Sequence, residues 1–337
     1  MEESLSYQEV YLVPRYTEVE SRSNVDVGVW FLGKKWKLPV VPANMVSVIS
    51  TNIAKWMSEN GYFYIMHRFG DNKEFVKRAN EENWNTISIS VGVKSTDWDF
   101  IEWLFHNTNH RVDFVTIDVA HGHSQQVKDT IRHIRSHFDD RKPRIIAGNV
   151  ATPQAVNDLA VWGADAAKVG IAGGGVCSTK TQTGFHVPMF SCIRGCFSSV
   201  IYLQNEIYPT TTPIPIIADG GIRNNGDIAK AIRAGATMVM AGSIFAACID
   251  SPAEFTHEDE KRKYKSFFGS ASQKNKLLAG QEVRNIEGFE AQIPCNNLMY
   301  KQKLLEIEQS LQSACSYAGS SDLNGLKSVD YVKVGKN

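Results

Sequence analysis

Residues Gly170 to Gly184 read GIAGGGVCSTKTQTG, so three consecutive glycines come just ahead of Cys177, and Thr179 follows two places later. Glycine tolerates φ > 0 and lets the backbone approach a ligand closely, so a thiol at the end of such a loop can be presented to a small molecule as a nucleophile. A flexible turn ahead of a buried thiol would read the same way in isolation. Groups at the ends of neighbouring apolar runs narrow the choice. They are Asn44 and Met45, His67 and Arg68, Asp118 with His121, Gly148 and Asn149, Asp219 with Gly220 and Gly221, and Gly242 with Ser243. Caps and turns are polar as a rule, yet a cap needs no cysteine and no glycine turn after each of the last two runs. The ADGG turn at Ala218 to Gly221 and the AGS turn at Ala241 to Ser243 offer backbone N–H groups to an anion, the pattern of a phosphate cradle.

Two metal readings stay open on residue type alone. Asp118, His121 and His123 in IDVAHGHS could ligate a divalent ion, with His67 as the one further donor at a neighbouring run end. Cys192 and Cys196, four apart on a helical stretch, could be half a site, but no second pair of ligands is evident.

The runs that carry these groups are Leu38 to Ala43, Tyr62 to His67, Thr86 to Val93, Val112 to Ala120, Pro143 to Val150, Ala164 to Ile171, Pro213 to Asp219 and Thr237 to Gly242. Short, continuous Val/Ile-rich runs suit parallel strands buried on both faces. Helical spacing lies between them at Ile49 to Asn60, Asn72 to Asn80, Ser124 to Phe138 and Asn225 to Ala234, with Thr152 before Pro153 and Asn225 before Gly226 as cap signals. Eight strand–helix units predict an α/β fold of the (β/α)8 TIM-barrel type, whose C-terminal rim would gather all the groups above. A doubly wound open sheet is the structural alternative, and it leaves the last runs without a place. The long polar interval 249–297 precedes a closing helix at Tyr300 to Ser316 and is expected to be a lid inserted in one 337-residue barrel domain.

Lys plus Arg and Asp plus Glu both number 36, which gives no electrostatic reason to expect nucleic acid or an anionic membrane as partner. The opening MEESLSYQEVYLVPR has no apolar signal core and no stretch is long enough to span a bilayer, so the expectation is a cytoplasmic protein. Six cysteines without a Cys-x-x-Cys pair do not make a disulfide scaffold.

Taken together, YLVPR, LPVVPANM, IDVAHGHS, IAGNV, VGIAGGGVCST, IIADGGIR, FFGSAS and SACSYAGSSDL closely resemble the inosine monophosphate dehydrogenase and guanosine monophosphate reductase family, almost end to end. The resemblance implies a phosphate-binding barrel, a purine 5′-monophosphate, a nicotinamide cofactor and a covalent cysteine adduct at purine C2. Within the family the chain looks like the mainly bacterial reductase group. His67-Arg68-Phe69 passes straight into a helical stretch, with no room for the regulatory CBS module of the dehydrogenases. RNIEGFEAQIP lacks their water-activating Arg-Tyr pair, and IMHRF and SACSYAG look like the reductase.

For the site the resemblance implies Cys177 as nucleophile, with Thr179 and Glu287 as the proton relay to the departing amine. Gly220, Gly221, Gly242 and Ser243 would hold the phosphate and Asp219 the ribose, with the base between Met45 and the turn at Gly269 and Ser270. Asp118, Ala120 and Asn149 would meet NADPH. The reaction implied is reduction of GMP to IMP with loss of ammonia, and the assembly a homotetramer. A K+ ion on the carbonyls of Ala172, Gly174 and Cys177 is the cation expectation. The loop departs from the family's usual Gly-Pro-Gly, with Gly173 in place of the proline and Ala172 where a glycine often lies, and Phe185-His186-Val187-Pro188 replaces further glycines. Alternatives are an IMP dehydrogenase lacking the regulatory module and a non-catalytic purine-nucleotide-binding barrel.

Overall fold

Seven of the apolar runs pair as one parallel sheet in a computed structural model that describes residues 4–137, 143–206, 214–258 and 263–335. The strands are Val40–Pro42, Ser88–Val91, Phe114–Asp118, Arg144–Val150, Ala166–Val169, Ile216–Asp219 and Met238–Ala241. Each pairs with the next in the chain from Ser88–Val91 onward, and the last pairs with the first, Val239 opposite Val40. That adjacency of first and last strand is the order of a (β/α)8 barrel and not of a doubly wound sheet, with the ladder left open only between Val40–Pro42 and Ser88–Val91. Four of the seven are buried at every position, as the continuous apolar runs require. Pro213, the expected start of the seventh run, lies outside the described residues.

The expected strand Tyr62 to His67 needs correction. Its residues occupy the gap between Val40–Pro42 and Ser88–Val91 and Phe63, Tyr64 and Ile65 are fully buried, but they form no ladder. One backbone bond remains, from Met66 N–H to the Ser88 carbonyl. Side chains take acceptors that a ladder would use: Tyr64 Oη donates to the Thr86 carbonyl at 2.8 Å and Ser90 Oγ to the Met66 carbonyl. The ring of Phe63 is held in an aromatic plug with Phe31, Trp36 and Phe114, centroids 5.0 to 5.2 Å away, at the N-terminal end of the strands.

Helix ends follow local chemistry. Ser50 accepts from Ile53 N–H to start Thr51–Asn60, which stops at Gly61 in the left-handed region. Thr152 accepts from Ala155 N–H ahead of Pro153–Trp162, as expected. Before Asn225–Ala234 the cap is Asn224 rather than Asn225, since Asn224 Oδ1 takes the Asp227 N–H. The Ser124 to Phe138 stretch appears as Gln125–His137, with Phe138 outside the described residues, and the closing helix as Tyr300–Tyr317.

The interval 249–297 carries a three-stranded antiparallel sheet, Phe255–Glu258, Lys263–Phe268 and Glu290–Pro294, plus the helix Gln273–Leu278; the charged residues 259–262 lie outside the described residues. Polar as the interval is, the root of its sheet is buried. Lys265 is fully buried and its Nζ donates to the carbonyls of Cys248, Ile249 and Ser251 and to Ser251 Oγ, at 2.6 to 3.1 Å. Three carbonyls and a hydroxyl satisfy the ammonium, so the sheet is moored just past the last barrel strand. Among the described residues no helix is long and apolar enough to cross a membrane.

Candidate active site

Past the C-terminal ends of the barrel strands lies a cavity of about 320 Å³, and every residue expected to act on the nucleotide, hold it or meet the cofactor lines it, from Met45 to Glu287. The cysteine loop and the ADGG turn form its floor and lock backbone to backbone. Gly170, at φ +140°, passes so close to the Asp219 carbonyl that a Cβ would stand 2.1 Å from it. A Cβ on Gly220, at φ +108°, would stand 2.7 Å from the Gly173 carbonyl carbon. Only glycine fits either place.

Cys177 is brought to Glu287 by pairing across 110 positions of chain. Cys177 bridges Gly288, Ser178 N–H donates to the Glu287 carbonyl at 2.9 Å, and Phe289 N–H donates to the Val176 carbonyl at 3.0 Å. Thr179 opens the short helix Thr179–Thr183 beside them. Its Oγ1 is 3.1 Å from Cys177 Sγ and donates to Glu287 Oε2 at 2.8 Å. A hydroxyl has one proton, and here it points at the carboxylate. With its proton on the carboxylate, the Thr179 oxygen can accept from the thiol, whose proton also has the Glu287 carbonyl in reach at 3.6 Å.

On the opposite wall Lys168 holds both acids that face the cavity. Its side chain is 4% exposed, and Nζ lies 2.9 Å from Asp118 Oδ1 and 2.8 Å from Asp219 Oδ2. Asn149 Nδ2 adds a bond to the same Asp219 oxygen at 2.8 Å and one to the Gly170 carbonyl at 2.7 Å. Burial works against the Asp118 carboxylate, but the Lys168 ammonium and Arg68 guanidinium outweigh it and hold its pKa below the usual value. For Lys168 burial pulls the other way, and the two carboxylates overcome it to raise the pKa.

The metal readings fail on geometry. Asp118 is engaged by Lys168, while His123 Nε2 pairs with Asp158 at 2.8 Å. His67 belongs to no group of three possible ligands among the described residues. Cys192 and Cys196 are buried core residues of the helix Met189–Glu206. In the altered glycine loop Ala172 adopts φ +58°, a left-handed conformation that glycine would take without strain. The Gly174 carbonyl is turned onto Cys177 N–H at 3.2 Å, and His186 Nδ1 donates to the Ile171 carbonyl at 2.9 Å. Of the three carbonyls expected to hold K+, that of Gly174 is thus taken up within the loop.

Lys168 and the cavity position of Phe69 escaped the sequence reading, which also gave Arg68 no role. Lys168 left a signal: a lysine inside the otherwise apolar ADAAKVGI has to find buried partners. Arg68 lines the cavity with its Nε buried and unbonded, and nothing in IMHRF distinguishes it from a surface arginine.

The pattern of the IMP dehydrogenase / GMP reductase domain matches residues 4–336. A protein of Staphylococcus epidermidis named GMP reductase is 46% identical over 330 residues, covering 97% of this chain and 95% of its own. Proteins of the same name are 46% identical in Latilactobacillus sakei over 332 residues (97% of this chain, 95% of that one) and 45% in Shouchella clausii over 339 (99% and 96%). With nearly its whole length matched by the domain and by relatives of almost equal extent, the chain belongs to the IMP dehydrogenase / GMP reductase family.

Proposed function

We propose that the chain is a GMP reductase: it converts GMP to IMP and ammonia at the expense of NADPH, with Cys177 as covalent nucleophile. The observation that carries this reading is the contact chain from Cys177 Sγ through Thr179 Oγ1 to the Glu287 carboxylate, at 3.1 and 2.8 Å. The thiol proton passes through the hydroxyl to the carboxylate, leaving a thiolate, which is the nucleophilic form. Sulfur adds to purine C2. An amide ion cannot leave in water, so the proton stored on Glu287 returns through Thr179 to the exocyclic amine, and ammonia departs from a thioimidate. A bound NADPH supplies hydride to the same carbon. The C–S bond then breaks, IMP is released and the thiolate takes a proton from water.

The nucleotide is held by the glycine turns. Backbone N–H groups at Gly220, Gly221, Gly242 and Ser243 take the phosphate, Asp219 accepts from the ribose hydroxyls, and Met45 faces the base across from Gly269 and Ser270. For the cofactor the fit rests on Asn149, whose Oδ1 is buried at the cavity and bonded to nothing. A carboxamide N–H or a ribose hydroxyl would satisfy it, with Asp118 and Ala120 alongside. The sheet and helix of 249–297 act as the lid, since they bring Glu287 to the thiol. The short link Gly70-Asp71 before the helix Asn72–Glu81 agrees with a chain without a regulatory module. The assembly proposed is a homotetramer in the cytoplasm, which sedimentation velocity would test.

Nicotinamide absorbance separates the two activities of the family. GMP should consume NADPH, whereas IMP with NAD⁺ should leave the absorbance flat. A steady rise with IMP and NAD⁺ would make the chain a dehydrogenase. Nucleotide binding without either reaction would make it a binding barrel.

A further inference from the structure

Two helices carry a second set of chemistry-bearing side chains, at the end of the barrel away from the cavity. Ser95–His106 and Gln125–His137 follow successive strands, and since each helix runs back against its strand, both C-termini lie at the N-terminal end of the sheet. Glu102 and His106 are one turn apart on the first helix, His133 and His137 one turn apart on the second. Glu102 Oε1 lies 3.0 Å from His133 Nε2 and 3.2 Å from His137 Nε2, and the three ligand atoms all lie within 4.8 Å of one another.

We propose that Glu102, His133 and His137 form a site for a borderline-soft divalent cation such as Zn²⁺, which ties these two helices together. A tetrahedral ion with bonds of about 2.0–2.1 Å keeps its ligands roughly 3.3–3.4 Å apart, so the two Glu–His distances need to open by only a few tenths of an ångström. The imidazoles are already oriented. His137 Nδ1 lies 2.8 Å from the His133 carbonyl, and since a carbonyl only accepts, Nδ1 carries a proton and Nε2, turned toward Glu102, is the atom left to ligate. His133 stacks on Trp98 with centroids 4.4 Å apart, and Trp98 is itself fixed by donating to Thr130 Oγ1 at 3.0 Å. His133 Nε2 is buried yet, for all its closeness to Glu102, makes no hydrogen bond. An ion between them would use both groups.

Two helix C-termini converge here, and their partial negative charge favours a cation. Nitrogen donors exclude Mg²⁺ and Ca²⁺ as the natural occupants. His106, whose Nε2 is 3.7 Å from Glu102 Oε2 on a side chain 71% exposed, can swing in as a fourth ligand, or water can take that place. Among the described residues no other such cluster exists. Its distance from the catalytic mouth makes the role structural.

The test is titration of the purified, metal-stripped protein with Co²⁺, followed by competition with Zn²⁺. One equivalent should give the visible bands of a four-coordinate nitrogen/oxygen site without a sulfur charge-transfer band. Zn²⁺, but not Mg²⁺, should raise the melting temperature by a few degrees and displace the cobalt. His133→Gln, His137→Gln and, as a milder change, Glu102→Gln should each weaken binding about tenfold or more while leaving turnover unchanged. The proposal fails if wild type binds no cobalt, if bound cobalt shows a thiolate band, or if the variants, still folded, bind as wild type does.

Discussion

Replacing Lys168 by methionine tests whether one buried ammonium really organises the wall of the cavity. The variant keeps the stem volume and removes the charge, leaving Asp118 and Asp219 facing the same vacated point with side chains 14% and 21% exposed. Breaking a buried pair by removing one partner costs about 3–5 kcal/mol, because an uncompensated charge stays behind. Asn149 still bonds Asp219, and both acids reach cavity water, so the low end, about 3 kcal/mol, is the expected loss. On a chain of this size that lowers the melting temperature by roughly 4–5 °C. The effect should depend on pH in a stated direction. In wild type the lowered Asp118 pKa contributes stability that is present above the unfolded value and lost as pH falls through the folded one. The raised Lys168 pKa contributes stability that is present below its unfolded value and lost as pH rises through the folded one. In the variant two like charges share a site, one of them takes up a proton more readily, and stability should rise as pH is lowered toward about 5. The double variant Lys168→Met with Asp118→Asn should recover part of the loss. Thermal melts from pH 5 to 8 and KM values for both substrates are the assays, with both KM values expected to rise. A melting temperature within about 1 °C of wild type, together with unchanged KM values, would refute the clamp.

Cys177→Ala should abolish turnover but leave GMP binding, and intact mass of wild type with GMP alone should reveal a covalent purine adduct that the variant lacks. Ammonia release by the variant would reject the covalent scheme. Glu287→Gln should slow deamination by roughly 10² to 10⁴ and hydride transfer far less, as single-turnover measurements of ammonia and NADPH would show. Equal slowing of both would rule the relay out. Gly220→Ala should destabilise by roughly 2 kcal/mol or more and weaken nucleotide binding, since a methyl would press on the Gly173 backbone at a positive φ. A variant with wild-type melting and affinity would show that the turn and the cysteine loop are not interlocked.

Periodicity and end chemistry fixed much of the architecture in advance. Val/Ile runs that must be buried on both faces announced the parallel strands, and the glycine turns after the last two lie where the cavity opens, as their place at strand ends required. Cys177 and Thr179 are two apart, so their closeness was readable once a helix start was placed there. Glu287 was reachable only by family likeness, because nothing local connects it to residues more than a hundred positions earlier. The misread strand at Tyr62 to His67 has the composition of a strand, and only the competing bonds of Tyr64 and Ser90 reveal that no ladder forms. Asn225 was one residue off as a cap because two adjacent asparagines offer the same side chain, and backbone direction selects Asn224.

The chain's order of residues by itself determined seven of the barrel strands and most of the helices between them, where the thiol sits in the chain, and which family the protein belongs to, because these follow from near neighbours and repeated pattern. Tertiary structure alone decided that Lys168 joins two acids from other strands, that Glu287 faces the thiol, and that Glu102, His133 and His137 meet. Each depends on the direction of side chains from separate elements packed together, and a linear spacing carries no information about that direction.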